Sequence, residues 1–282
     1  MIINFEHWFD DVLEKMQNKK IVNLYKYISF GENEKLNDRK IETIKNSSVY
    51  MSSPLAFNDP YDCELSFNIM DDLDDFLKIV LNRNQRRTIE HNKRLQNKVN
   101  GDANQLQDTL VAEWDKLKKE IQVACFCEEV DNFLMWSHYA NCYNGICLEY
   151  DIKKIMNEIN KHNLALFPVM YTDNLIKARE FLNKEELFQN KPSKFYRAAI
   201  RAVISKHLQW NYENEWRMIN IGKKNVTNYQ SMPTPEKIYI GFKVGDSIRN
   251  RLLDISDELK VDCVYETKIS TKEYRLIHNQ IK

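Results

Sequence analysis

Residues 121–151 read IQVACFCEEVDNFLMWSHYANCYNGICLEYD, and this stretch decides the fold class. Ile121, Val123, Cys125 and Cys127 recur with period two, as do Ile146, Leu148 and Tyr150, so each end predicts a strand with one face toward a core. Residues 133–140 predict a short helix or turn between them. Working outward, further strands are expected at residues 21–27, 49–52, 167–171, 215–221, 237–242 and 261–266, where β-formers concentrate. Helical spacing marks Phe5, Trp8, Phe9, Val12, Leu13 and Met16, then residues 38–45. It returns in the stripe Tyr196, Ile200, Val203, Ile204, His207, and in Ile248, Leu252, Ile255, Leu259. Short strands separated by helices of unequal length fit an α+β fold. The expectation is a mixed, mostly antiparallel sheet with flanking helices, rather than a doubly wound sheet.

Between residues 71 and 121 the character changes. Leu73, Phe76, Leu77, Val80 and Leu81 mark one helix, and Leu106, Leu110, Trp114, Leu117 and Ile121 a second. Residues 84–104 between them are almost wholly polar. This predicts a helical hairpin with a mobile tip, inserted into a single domain spanning residues 1–282.

Composition narrows the function classes. At 282 residues, 43% hydrophobic and 29% charged, the chain can bury a sizeable core. Lys plus Arg equals Asp plus Glu at 41 each, which argues against a dedicated duplex-DNA binder, since such proteins draw affinity from excess positive charge. With no apolar run of about 18 residues, no membrane partner is expected. The start lacks the basic and apolar pattern of a secretory leader, so a cytoplasmic location and reduced thiols are expected for the six cysteines. Cys125-x-Cys127 is not the C-x2-C knuckle of structural zinc, so no metal site is expected.

Three segments can carry chemistry. In Asn58-Asp59-Pro60, Asx side chains bond their own backbone and Pro60 forces Asp59 out of the helical region. The turn is either a loop clamp or a pocket wall, with Tyr61 and Asp62 behind it. Met135-Trp136-Ser137-His138-Tyr139 packs two aromatics, a hydroxyl and an imidazole into five residues. On a helix, Met135, His138 and Tyr139 share a face and Trp136 points away. In Lys206–Arg217, an extended backbone would put Glu213, Glu215 and Arg217 on one face. They form either an ion-pair ladder with Lys194, Arg197 and Arg201, or an active site where Arg217 holds one carboxylate and leaves the other to act.

Together these segments resemble a widespread bacterial domain-of-unknown-function family, the DUF2971 type. Its pattern is carried by Leu24-Tyr25-Lys26-Tyr27, by Phe57 to Asp62, and by Cys125-Phe126-Cys127, where serine is commoner at the last position. Met135 to Tyr139, Gly145 to Asp151, and Lys206 to Arg217 complete it. More distantly, a strand with aromatic and basic residues, a central aromatic segment and a late strand bearing glutamate look like the layout of ADP-ribosyltransferases, which occur in toxin and phage-defence systems. That likeness implies NAD as substrate, with a protein or nucleic-acid acceptor. Glu215 would be the catalytic carboxylate, with Glu213 as alternative and His138 beside them. Tyr139 or Trp136 would stack on nicotinamide, and Tyr25, Lys26 and Arg217 would hold ribose and pyrophosphate. Tyr27, Asn58, Asp59 and Ser137 would complete the substrate site. The competing readings are a non-catalytic interaction or sensor module, and a metal-dependent hydrolase or nuclease using Asp59, Asp62, Glu213 and Glu215.

Overall fold

Residues 21–69, 73–162, 164–177, 199–220 and 228–282 are described by the structure, a computed structural model. In chain order the elements begin with β1 (Asn23–Ser29), α1 (Glu34–Lys45), β2 (Ser48–Tyr50), β3 (Leu65–Ser66), α2 (Leu73–Val80), α3 (Arg83–Glu90) and α4 (Lys93–Glu120). The middle contains β4 (Gln122–Phe126), α5 (Phe133–Tyr139), β5 (Gly145–Asp151), α6 (Ile152–His162), β6 (Ala165–Pro168), β7 (Met170–Thr172) and β8 (Ile176–Lys177). The last part holds β9 (Ser205–His207), β10 (Trp216–Asn220), β11 (Tyr229–Ser231), β12 (Lys237–Gly241), α7 (Asp246–Glu258), β13 (Val264–Ile269) and β14 (Leu276–Gln280). The fold is α+β. The helix expected at residues 5–16 lies outside the described residues, as do Lys194 and Arg197.

Two compact units share the chain. One comprises Met1–Ser52, Gln122–Val169 and Gln209–Lys282, the other Ser53–Ile121 and Met170–Leu208. In the first unit a five-stranded sheet runs β1-β5-β12-β13-β14, antiparallel except for the parallel β12–β13 pair. A second, antiparallel sheet runs β4-β10-β6, with Arg217 opposite Cys125 and Phe167. Beyond the end of β4, Cys127 exchanges two 2.9 Å backbone hydrogen bonds with Tyr25, which joins the sheets at β1. Alternation does the rest. Ala124, Phe126, Trp216 and Met218 turn into the main apolar core with Leu24, Ile146, Leu148, Ile238, Leu252 and Val264. Cys125 and Arg217 fall on the opposite face of the smaller sheet.

Local chemistry fixes the connection that carries α5. Asn132 caps the helix, its side-chain oxygen accepting from the amides of Leu134 and Met135. After α5 three successive residues, Asn141, Cys142 and Tyr143, take left-handed φ angles of 45°, 52° and 70°. Gly145 then enters β5 where a Cβ would stand 2.4 Å from the Ile28 carbonyl oxygen, so no other residue fits without a backbone shift.

The second unit pairs β3 with β8 and β7 with β9, both parallel. Its helices depart from expectation. Instead of two helices with a mobile tip, residues 73–120 form three, because Asn82 and Asn92 start new helices within the polar stretch. Asn82 and Gln85 make a reciprocal capping box. The stripe expected to run from Tyr196 to His207 is helical at 199–203 and then becomes β9, because Ser205–His207 pair with Met170–Thr172. The single strand expected at 167–171 is two, β6 and β7, one in each unit. Helix α6 and the polar edge strand β14 add to the expected elements.

Candidate active site

Glu213, Glu215 and Arg217 do not lie on one strand. Leu208–Glu213 is a 3-10 turn, Asn214 takes a left-handed φ of 42°, and β10 begins only at Trp216. The two carboxylates therefore meet different partners. Arg217 donates from Nε to Glu215 Oε1 at 2.8 Å and from its terminal amine to Oε2 at 3.0 Å. Both are enclosed, at 0% and 4% exposure. This bidentate pair supplies charge compensation and two hydrogen bonds, as burial requires. Arg217 thus holds both carboxylate oxygens of Glu215.

Glu213, 2% exposed, accepts a 2.6 Å hydrogen bond from the Tyr139 hydroxyl. Around it stand rings. His138 lies 6.5 Å by centroid from both Tyr139 and Tyr212, and Trp210 lies 6.1 Å from Tyr212. His138 is exposed, and Tyr139, Trp210 and Tyr212 are half-buried. Asn132 joins the two halves of this wall: besides capping α5, it donates to the Tyr212 carbonyl at 2.6 Å. The result is a buried carboxylate bonded to Tyr139, one member of a partly exposed row of rings.

Beside this pair, the Lys26 ammonium donates to the Cys125 carbonyl at 2.9 Å and sits 5.6 Å from the Phe126 ring centroid. Burial lowers its pKa, against the pull of the Cys125 thiol and the Glu215 charge. Burial, then Glu215, pushes the Cys125 thiol up. Burial likewise pushes Cys127 up to about 12, with Glu213 and Glu215 adding to it. Both thiols stay protonated at neutral pH and are poor nucleophiles there.

Several expected ligand contacts are packing residues. Trp136, 0% exposed, points inward rather than away from the helix face that packs. It donates to the Val130 carbonyl at 2.7 Å, stacks on Tyr143 and meets Tyr27 edge-on, so it has no face to offer nicotinamide. Tyr27 is buried and donates to the carbonyls of Glu129 and Val130. Ser137 is half-buried on α5. Tyr25 is half-buried in the same aromatic cluster, its pKa raised by burial and by Glu149.

Asn58 and Asp59 belong to the second unit. Asp59 makes the expected turn, accepting from the Tyr61 amide at 2.9 Å, while Asn58 is exposed. Behind them Asp62 and Lys206 form a buried ion pair at 3.7 Å. That pair links the last residue of the Phe57–Asp62 motif to the first of the Lys206–Arg217 motif.

Two further polar groups lie on the five-stranded sheet. Glu149 accepts from Asn23 at 2.8 Å, Tyr239 at 2.7 Å and Lys237 at 3.0 Å. His278 bridges Thr267 at 2.9 Å and Asp131 at 2.8 Å, but Thr267 is fully buried and offers no accessible hydroxyl. Among the described residues no group of three or more His, Cys, Asp or Glu side chains is placed to hold a metal ion. No described helix is long and apolar enough to cross a membrane.

Fold and site define an α+β protein whose first unit gathers buried carboxylates at the junction of two sheets. Residues 135–218 match the family described as "Protein of unknown function (DUF2971)". The matched span carries His138, Tyr139, Glu213, Glu215 and Arg217, whereas Tyr25 to Tyr27 and Asn58 to Asp62 lie outside it. No curated protein and no solved structure matches the chain.

Proposed function

We propose that the first unit is an NAD-consuming enzyme of ADP-ribosyltransferase or glycohydrolase type, with Glu213 as its acting carboxylate. The observation that carries this reading is buried Glu213 bonded to Tyr139, which belongs to a row of rings with His138, Tyr212 and Trp210. Partly open rings suit a flat pyridinium. A carboxylate bonded to one of them suits the ribose hydroxyl next to the reacting carbon. As the bond from that carbon to nicotinamide breaks, its electron pair passes to the ring nitrogen and neutralises the pyridinium. Positive charge then develops on the ribose, and Glu213 stabilises it until water or an acceptor nucleophile bonds to the same carbon. Glu215, neutralised by Arg217, holds the strand that follows.

The test is nicotinamide release from NAD, with and without cell lysate as a source of acceptor, by wild type, Glu213→Gln and Glu215→Gln. Release by wild type that falls about 100-fold or more in a fully folded Glu213→Gln supports the reading. Release that survives Glu213→Gln removes that residue from the chemistry. No release from wild type overturns the NAD reading and favours the interaction module, for which exposed Phe133 and Leu134 on α5 would be the contact surface.

A further inference from the structure

In the second unit, α2, α3 and α4 enclose a cleft of ≈ 320 Å³ whose apolar lining is Leu73, Leu77, Ile89 and Val99. That is the lower end of the size range for small-molecule sites. Arg86 also lines it, and its Nε is buried with no hydrogen-bond partner. A buried guanidinium N–H without an acceptor is uncommon in folded proteins and marks a place where an acceptor belongs. Among the described residues no carboxylate pairs with Arg86, although Glu90 stands one turn along the same helix and Asp74 also lines the cleft.

We infer that this cleft binds an apolar α-amino acid. Its four apolar side chains offer a surface for an aliphatic or aromatic side chain. It carries both signs of charge, Asp74 and Glu90 against Lys78 and Arg86, so a simple fatty acid would meet the two carboxylates unfavourably and a simple amine would leave Arg86 unsatisfied. A zwitterion satisfies both: its carboxylate accepts from Arg86 Nε, and its ammonium faces the acidic side chains. Arg86 and Glu90, four residues apart on α3, are spaced so that one amino acid's two charged groups can each meet an opposite charge. This site is independent of the chemistry proposed for the first unit.

Calorimetric titration of the full-length protein tests it with four probes: L-leucine, L-phenylalanine, 4-methylpentanoate, which lacks the amine, and 3-methylbutylamine, which lacks the carboxylate. Saturable binding of leucine or phenylalanine, weakened about tenfold or more by loss of either charged group, is the expected result. Arg86→Met should weaken leucine about tenfold while leaving 3-methylbutylamine unchanged, with helix content by circular dichroism confirming the fold. Val99→Phe, which fills the cleft, should abolish binding and supplies the test should Arg86→Met not fold. No saturable binding of either amino acid overturns the inference. So does equal affinity for leucine and 4-methylpentanoate, or wild-type affinity in Arg86→Met.

Discussion

The two sheets of the first unit treat buried carboxylates in opposite ways. On the five-stranded sheet Glu149 is enclosed by regular structure: Asn23, Lys237 and Tyr239 reach it from β1 and β12, the two strands flanking its own. At the three-stranded sheet Glu213 sits in a turn, and the partner described for it, Tyr139, comes from a short helix. Glu215 lies between these cases, within strand-adjacent backbone but tied to its own neighbour Arg217. A carboxylate clasped by several strands is a cross-link. One presented by a turn and bonded to a single described hydroxyl is held by irregular backbone, which is why the proposed chemistry is assigned to it.

Breaking the Glu215–Arg217 pair should have the largest effect. Arg217→Met leaves a buried carboxylate without its guanidinium and should cost about 3–5 kcal/mol in urea unfolding. A double variant, Glu215→Leu with Arg217→Met, should recover much of that. If the single variant is as stable as wild type, the pair is not the strand's anchor. Glu149→Gln keeps the shape of the clasp but removes its charge, and should cost about 2 kcal/mol without altering nicotinamide release. A specific loss of release in that variant would erase the contrast between the sheets.

Cys127 gives a pH-dependent sharpening, because it lies where the sheets join. Its thiol is raised from 9.0 to about 12 by burial. The stabilisation this gives is fully present below the unfolded pKa near 9.0, and is lost as pH rises toward the folded value, since the unfolded chain releases the proton first. Between pH 9 and 11 wild type should therefore lose stability faster than Cys127→Ala, by up to about 1.4 kcal/mol per pH unit. Parallel slopes in the two proteins would show the thiol is not enclosed. Glu213→Gln should have the smallest effect on stability, under about 1 kcal/mol, because the Tyr139 hydroxyl can still donate to an amide oxygen.

What the sequence disclosed follows the reach of each signal. Period two in 146–150 and helical spacing in 248–259 became β5 and α7 with the expected faces toward the core, whereas 121–127 became β4 with Ala124 and Phe126, not Val123 and Cys125, turned into the main core, because both faces of that strand carry apolar residues. The placing of Glu213 was hidden, because one left-handed residue, Asn214, ends the alternation, and Asn in that conformation leaves no clear mark in sequence. Pairing across the chain was hidden too: nothing near Asp62 names Lys206, and β9 is made a strand by β7 rather than by its own residues. That Trp136 is buried and His138 exposed was hidden because a seven-residue helix has too few turns to show which face packs. Trp210, Tyr212 and Asn132 were legible only as motif neighbours, and their part in the aromatic wall emerges from the fold.

One amide has a mechanical consequence. Asn132 both starts α5 and grips the Tyr212 carbonyl, so the helix that carries His138 and Tyr139 and the turn that carries Glu213 are fastened at both ends of the helix, by Asn132 and by the Tyr139–Glu213 bond. A displacement of either must be passed to the other, as through a linkage with two pins. Wall and carboxylate then keep their spacing when the surrounding loops breathe, and losing the Asn132 pin would leave the Tyr139–Glu213 bond as a hinge between them.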